Sequence, residues 1–175
     1  MQLGSLGHWG EYHVNISEGV SPLPLYDTRI RYVEPYLSAF PHAHILMRYP
    51  LLEANKYGFG LYNDMTGDYE ETEYWLEQMK GGIWEQTGVP EQAEMTDAWK
   101  THPVGGEFAS THEDRYFVSD NLNETLELLT ESHQSFIGPK TIIGESDVNY
   151  TSAETKILSA IGYRYRASQA VIDMT

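Results

Sequence analysis

The chain has 175 residues, 41% of them apolar, which suits one domain with a real core. Its net charge of −15, with no Lys/Arg cluster to neutralise phosphates, argues against a nucleic-acid partner. Absence of cysteine excludes a disulfide framework and thiolate metal sites while leaving the compartment open, a secreted or cell-surface full-length protein being one alternative.

No stretch approaches the roughly 20 apolar residues of a transmembrane helix, so no membrane partner is expected. Met1 leads straight into a strand-like segment, with neither the charged n-region nor the apolar h-region of a signal peptide. Three sequons, at Asn15, Asn123 and Asn149, fit the glycosylation pattern and equally fit chance in a polar chain. Aromatic content of 13% suits sugar contact, and suits a core as well.

In chain order, Gln2 to Leu6 reads as a strand, followed by a loop with Pro22 and Pro24. Arg29 to Phe40 reads as a helix, with Ile30, Val33, Leu37 and Phe40 at helical spacing and Pro35 in its first two turns. His44 to Arg48 and Gly58 to Tyr62 read as the next strands. Glu70 to Lys80 reads as a helix stopped by Gly81-Gly82, and Glu91 to Trp99 as a short one. A fourth strand is expected around Val104. Asp120 is expected to cap a helix from Leu122 to Ser132, with a Leu122, Leu126, Leu129 stripe. Ser135 to Ile137 reads as a fifth strand, Ser152 as the cap of a helix ending near Ile161-Gly162, and Tyr163 to Ile172 as extended. Strand and helix alternating throughout predict an α/β fold with a parallel sheet.

In such a sheet, function gathers at the carboxyl ends of the strands. Those ends carry His8, Trp9 and Glu11, then Arg48, then Asn63 and Asp64, then Glu107, then 133–139. Glu11 and Glu107 each follow glycine, which leaves room for a ligand near the backbone. Paired carboxylates are what acid/base and nucleophilic work on a glycosidic bond needs, and Trp9 suits a sugar face. Arg48 would hold a carboxylate ionised or grip a substrate oxygen, or simply form an ion pair. Asp64 would bind a sugar hydroxyl, although Asn-Asp is also ordinary turn chemistry.

No metal is expected. His8, Glu11 and His13 miss the known helical zinc spacings, and on a strand His8 would face away from the other two. There is no Gly-x-Ser-x-Gly elbow, no Gly-x-Gly-x-x-Gly and no Walker sequence, so no cofactor is implied.

Five segments carry a family resemblance: Leu3 to Glu11, Leu46 to Pro50, Gly60 to Asp64, Pro103 to Phe108 and Ser132 to Pro139. In this order, spread over roughly residues 2–165, they resemble a bacterial domain-of-unknown-function family (DUF4832 type) of glycosidase-like barrel proteins. The resemblance implies part of a (β/α)8 TIM barrel related to the retaining glycoside hydrolases, about strands 4 to 8, over residues 1–162. Residues 163–175 would begin an appended β-sandwich or tail. It implies Glu11 as acid/base after the fourth strand and Glu107 as nucleophile after the seventh, with Arg48 and Asp64 closing the fifth and sixth. One departure is Gly10, which stands where that clan usually has Asn before the acid/base.

The expected function is therefore a glycoside-hydrolase-like fragment that acts on or binds carbohydrate through Glu11 and Glu107. His8, Trp9, Arg48, Asn63 and Asp64 would shape the sugar site. The alternatives are a non-catalytic carbohydrate-binding or scaffold barrel, and an independent small α/β protein. Unpaired sheet edges would invite self-association.

Overall fold

A computed structural model describes residues 1–14, 22–109, 116–117, 119–138 and 151–162. The extended segment expected over Tyr163 to Ile172 and the sequons at Asn15 and Asn149 lie outside the described residues. The elements are α1 (Tyr26–Ala39), β1 (Leu46–Met47), α2 (Leu52–Tyr57), β2 (Gly60–Thr66), α3 (Tyr69–Gln78), β3 (Lys80–Trp84) and β4 (Val89–Glu94). A 3-10 turn (Ala98–Lys100), β5 (Val104–Phe108), α4 (Ser119–Glu131), β6 (Phe136–Ile137) and α5 (Thr151–Ala160) follow. The fold is mixed α/β.

Four strands form one parallel sheet in the order β1-β2-β5-β6, which follows chain order without reversal. Gln2 bridges Leu46 in parallel on the outer side of β1, and the Leu3 amide donates to the Leu46 carbonyl at 2.7 Å. The strand expected over Gln2 to Leu6 shrinks to that bridge, because Gly7 and Gly10 turn the chain back (φ 78° and 77°).

A glycine pair lets β5 nest between its neighbours. A Cβ on Gly105 would collide with the Phe136 ring, and one on Gly106 with the Asn63 carbonyl and the Thr66 hydroxyl. The space beside these glycines is thus filled by protein, not left for a ligand.

Two helical expectations are corrected here. Gly81-Gly82 does not end the chain's regular structure but lies in β3, which pairs antiparallel with β4. Glu91 to Trp99 is therefore not a helix. It divides into β4 and the 3-10 turn. In β4, Glu91 and Ala93 point inward on the period of two. The hairpin is tied to the main body by Ala93 N–H to the Pro50 carbonyl at 2.7 Å and Met95 N–H to the Met79 carbonyl at 2.8 Å.

Other boundaries moved for local reasons. α1 starts at Tyr26, three residues early, so Pro35 falls in its interior on an exposed position. Its N-cap Leu25 offers no side-chain bond; the Tyr26 amide donates instead to Glu91 Oε1 at 2.7 Å. α2, not foreseen, ends at Gly58 in the left-handed conformation, a glycine C-cap. α3 is capped by Asp68, which accepts from the Glu71 amide at 3.1 Å. α4 begins at Ser119, so Asp120 lies in its first turn, not at its cap, and Ser152 likewise lies within α5.

The larger hydrophobic cluster joins Val33 of α1, Met47 of β1, Leu61 of β2, Trp75 of α3 and Trp84 of β3. A second one packs Phe108, Leu122 and Leu129 against Ala153 and Ile157 of α5. Arg29 is fully buried within the first region, binding Glu53 through two nitrogens (2.6 and 3.1 Å) and Glu91 through a third bond at 2.7 Å. Its guanidinium also lies 4.9 Å from the Trp84 ring centre. This network locks α1, α2 and the hairpin together.

Candidate functional site

At the carboxyl end of the parallel sheet, neighbouring strands bring charged side chains into one row. Arg48 follows β1 and directs one guanidinium nitrogen, Nη1, at two carboxylates: Glu11 Oε2 at 2.9 Å and Asp64 Oδ2 at 2.8 Å. The Tyr62 hydroxyl donates to Glu107 Oε2 at 3.1 Å. Tyr62 and Asp64 are two residues apart on β2 and so share a face of the strand. The row runs Glu11, Arg48, Asp64, Tyr62, Glu107.

A bulge shapes its centre. Between the pairs Asn63↔Gly106 and Thr66↔Phe108, β2 takes three steps to two on β5. The extra residue places Asp64 and Met65 opposite Glu107, the kind of irregularity that re-aims side chains at sheet ends.

Two carboxylates, Glu11 and Asp64, meet one guanidinium, and the third, Glu107, meets the Tyr62 hydroxyl. Burial pushes the Asp64 carboxyl up to about 6; Arg48 opposes that shift, and Glu11 and Glu107 add to it. Burial, then the charge of Glu107 beside it, raises the Tyr62 hydroxyl far above its ordinary value, so it stays a proton donor. His13 is pushed below its ordinary value, first by burial and then by Arg48, and its Nδ1 lies 3.2 Å from the Tyr49 hydroxyl.

The segment carrying Glu11 is a tight turn, not a strand. Its ends pair antiparallel, His8 against His13, with His8 N–H to the His13 carbonyl at 2.7 Å. His8 and His13 thus face each other across a turn and do not alternate along one strand. Trp9 and Tyr12 adopt positive φ (53° and 61°), a conformation that bulky residues rarely hold. The turn leaves Trp9 84% exposed, with the His8 ring edge-on at 5.6 Å.

Of the expected site residues, Glu11, Arg48, Asp64 and Glu107 come together. His8 and Trp9 sit on the Glu11 turn. Asn63 turns the other way: it is buried, donates to Thr72 Oγ1 at 3.2 Å and accepts from the Met65 amide at 3.0 Å. The strand runs on to Thr66, so Asn63 lies inside it rather than beyond its end. Tyr62 was overlooked by the sequence reading, and strand parity with Asp64 was the signal that would have found it. Trp75, whose Nε1 donates to the Arg48 carbonyl at 2.8 Å, and Tyr49, 5.2 Å beneath the Arg48 guanidinium, carried no such signal.

Among the described residues, no three His, Cys, Asp or Glu side chains gather to hold a metal ion, and no helix is long and apolar enough to cross a membrane. A cavity of about 290 Å³ lies away from the row, near Gly58, Asp97 and His102. A smaller one of about 70 Å³ adjoins Arg48 and Asp64. Compared with family models, curated proteins and solved structures, the chain matches none.

Proposed function

We propose that this chain is the latter part of a glycosidase-like (β/α)8 barrel that handles carbohydrate through Glu107 and Glu11. The observation that carries the reading is the row itself. Glu11 on its turn and Asp64 on β2 meet Arg48, and Glu107 on β5 meets Tyr62, all at the carboxyl end of a parallel sheet. An unreversed strand order is what closed barrels use, whereas doubly wound sheets reverse it.

In this reading Glu107 is the nucleophile, oriented by the Tyr62 hydroxyl. Glu11 is the acid/base that first protonates the leaving oxygen and then deprotonates water, giving retention. Arg48 sets the position of Glu11 and Asp64 relative to each other. Trp9, open on its turn, offers a face for a sugar ring.

The test is hydrolysis of a panel of aryl glycosides by the protein and by Glu107→Gln. The expected outcome is an activity that Glu107→Gln reduces by several orders of magnitude. Undiminished activity in that variant would end the nucleophile assignment. A second reading, carbohydrate binding without catalysis, is favoured by Gly10 before Glu11 and by the occupation of a Glu11 oxygen by Arg48. It predicts no hydrolysis, with sugar binding that Trp9→Ala weakens.

A further inference from the structure

The lining of the cavity of about 70 Å³ beside the row includes Arg48, Asp64, Glu71, Tyr74, Gln78 and Glu85. Gln78 is only 4% exposed, yet its Oε1 has no hydrogen-bond partner among the described residues. The Tyr74 hydroxyl beside it is raised above its ordinary value first by burial and then by Glu85, with Gln78 opposing. A buried acceptor without a donor is unfavourable, so the cavity lacks an N–H or O–H group at that atom.

The charges around it say which kind of donor fits. Four carboxylates, Glu11, Asp64, Glu71 and Glu85, lie on or next to the cavity against the one guanidinium of Arg48, whose Nη1 already serves two of them. The Trp75 Nε1 is spent on the Arg48 carbonyl, and the proton affinity of His13 is depressed by burial and by Arg48. An anionic group, such as a uronate or sulfate, would meet net repulsion here. A hydroxyl would satisfy Gln78 but leave the carboxylate excess. A primary ammonium supplies three donors and a positive charge in a volume that this cavity accommodates.

We propose that this cavity is a subsite for a primary ammonium group, carried by an amino sugar lying along the carboxylate row. The sugar part rests on the carbohydrate reading above; the ammonium part rests on the cavity alone. Glu71, Tyr74 and Glu85 are exposed at its outer rim, so the group enters from solvent past α3.

The experiment uses the whole chain at neutral pH with three probes: methylammonium chloride, cellotriose, and the fully deacetylated chitosan trimer. The two trimers share a backbone and differ at C2. Binding is followed by calorimetry and by the side-chain amide resonances of Gln78. Methylammonium is expected to move those resonances. The chitosan trimer is expected to bind about tenfold or more tighter than cellotriose, the scale of one charge-assisted bond. Glu85→Gln, a change at an exposed position, is expected to bring that ratio towards one while leaving cellotriose binding intact, and Gln78→Met is expected to weaken both trimers, the chitosan trimer more.

Gln78 resonances unmoved by methylammonium, with both trimers bound equally, would overturn the subsite and leave the carbohydrate reading standing. Movement by methylammonium with neither trimer bound would keep the ammonium site and end the carbohydrate reading. The methylammonium titration needs no variant, so a Gln78→Met protein that fails to fold does not block the test.

Discussion

Asp64 concentrates the electrostatics of the site in one carboxyl. Its folded-state value of about 6 lies above the ordinary 3.8 because burial disfavours its charge. Between those two values the folded protein binds more protons than the unfolded chain, so this group's contribution falls as pH rises from about 4 through about 6. Asp64→Asn is expected to flatten that part of the stability profile, and its stability relative to the parent should grow over the window by on the order of 3 kcal/mol. Chemical denaturation at a series of pH values measures it. Since Arg48 opposes the shift, Arg48→Met should move the Asp64 midpoint higher still, readable by carbon NMR of the carboxyl. A midpoint unchanged by that substitution would break the link between Arg48 and Asp64.

Among the elements, the hairpin decides most. Its second strand looks helical from Glu91 on because Glu91, a charged residue, occupies an inward position of β4 and hides the alternation. The position is tolerable only because Arg29 meets it from α1, while Glu91 Oε1 also takes the Tyr26 amide. Arg29→Met would leave Glu53 and Glu91 buried without their cation, and a loss of about 3–5 kcal/mol in urea unfolding is expected. β5 is equally exacting. Gly106→Ala puts a methyl group against the Asn63 carbonyl and Thr66, and a loss of about 1–3 kcal/mol or more follows from forcing β2 and β5 apart. Because Asn63 and Asp64 point to opposite sides of β2, that movement would also disturb the row. Loss of stability with an unchanged Asp64 titration would show that the row is independent of the β2–β5 fit.

At the scale of the whole molecule, the sheet has two outer sides, the Gln2 bridge beyond β1 and β6 at the other end. Among the described residues, neither has a second strand neighbour. Strands so placed can pair with those of another copy. Concentration-dependent association in sedimentation is the expected outcome, and a single monomeric species at every concentration would count against it.

Legible from the amino-acid order alone were the α/β character, the parallel strands at Leu46, Gly60, Val104 and Phe136, and the polar residues near their carboxyl ends. These follow from local patterns of apolar residues, glycines and breakers, which need no knowledge of distant partners. Long-range packing was needed to show that one Arg48 nitrogen serves both Glu11 and Asp64, that Tyr62 rather than Asn63 joins the row, and that Glu91 caps α1 from 65 residues away. It also made the segment expected as a helix over Glu91 to Trp99 into the second strand of a hairpin and a 3-10 turn. Each of these rests on contacts between segments far apart in the chain, where the partner, not the local sequence, sets whether a charge can be buried and which way a strand faces.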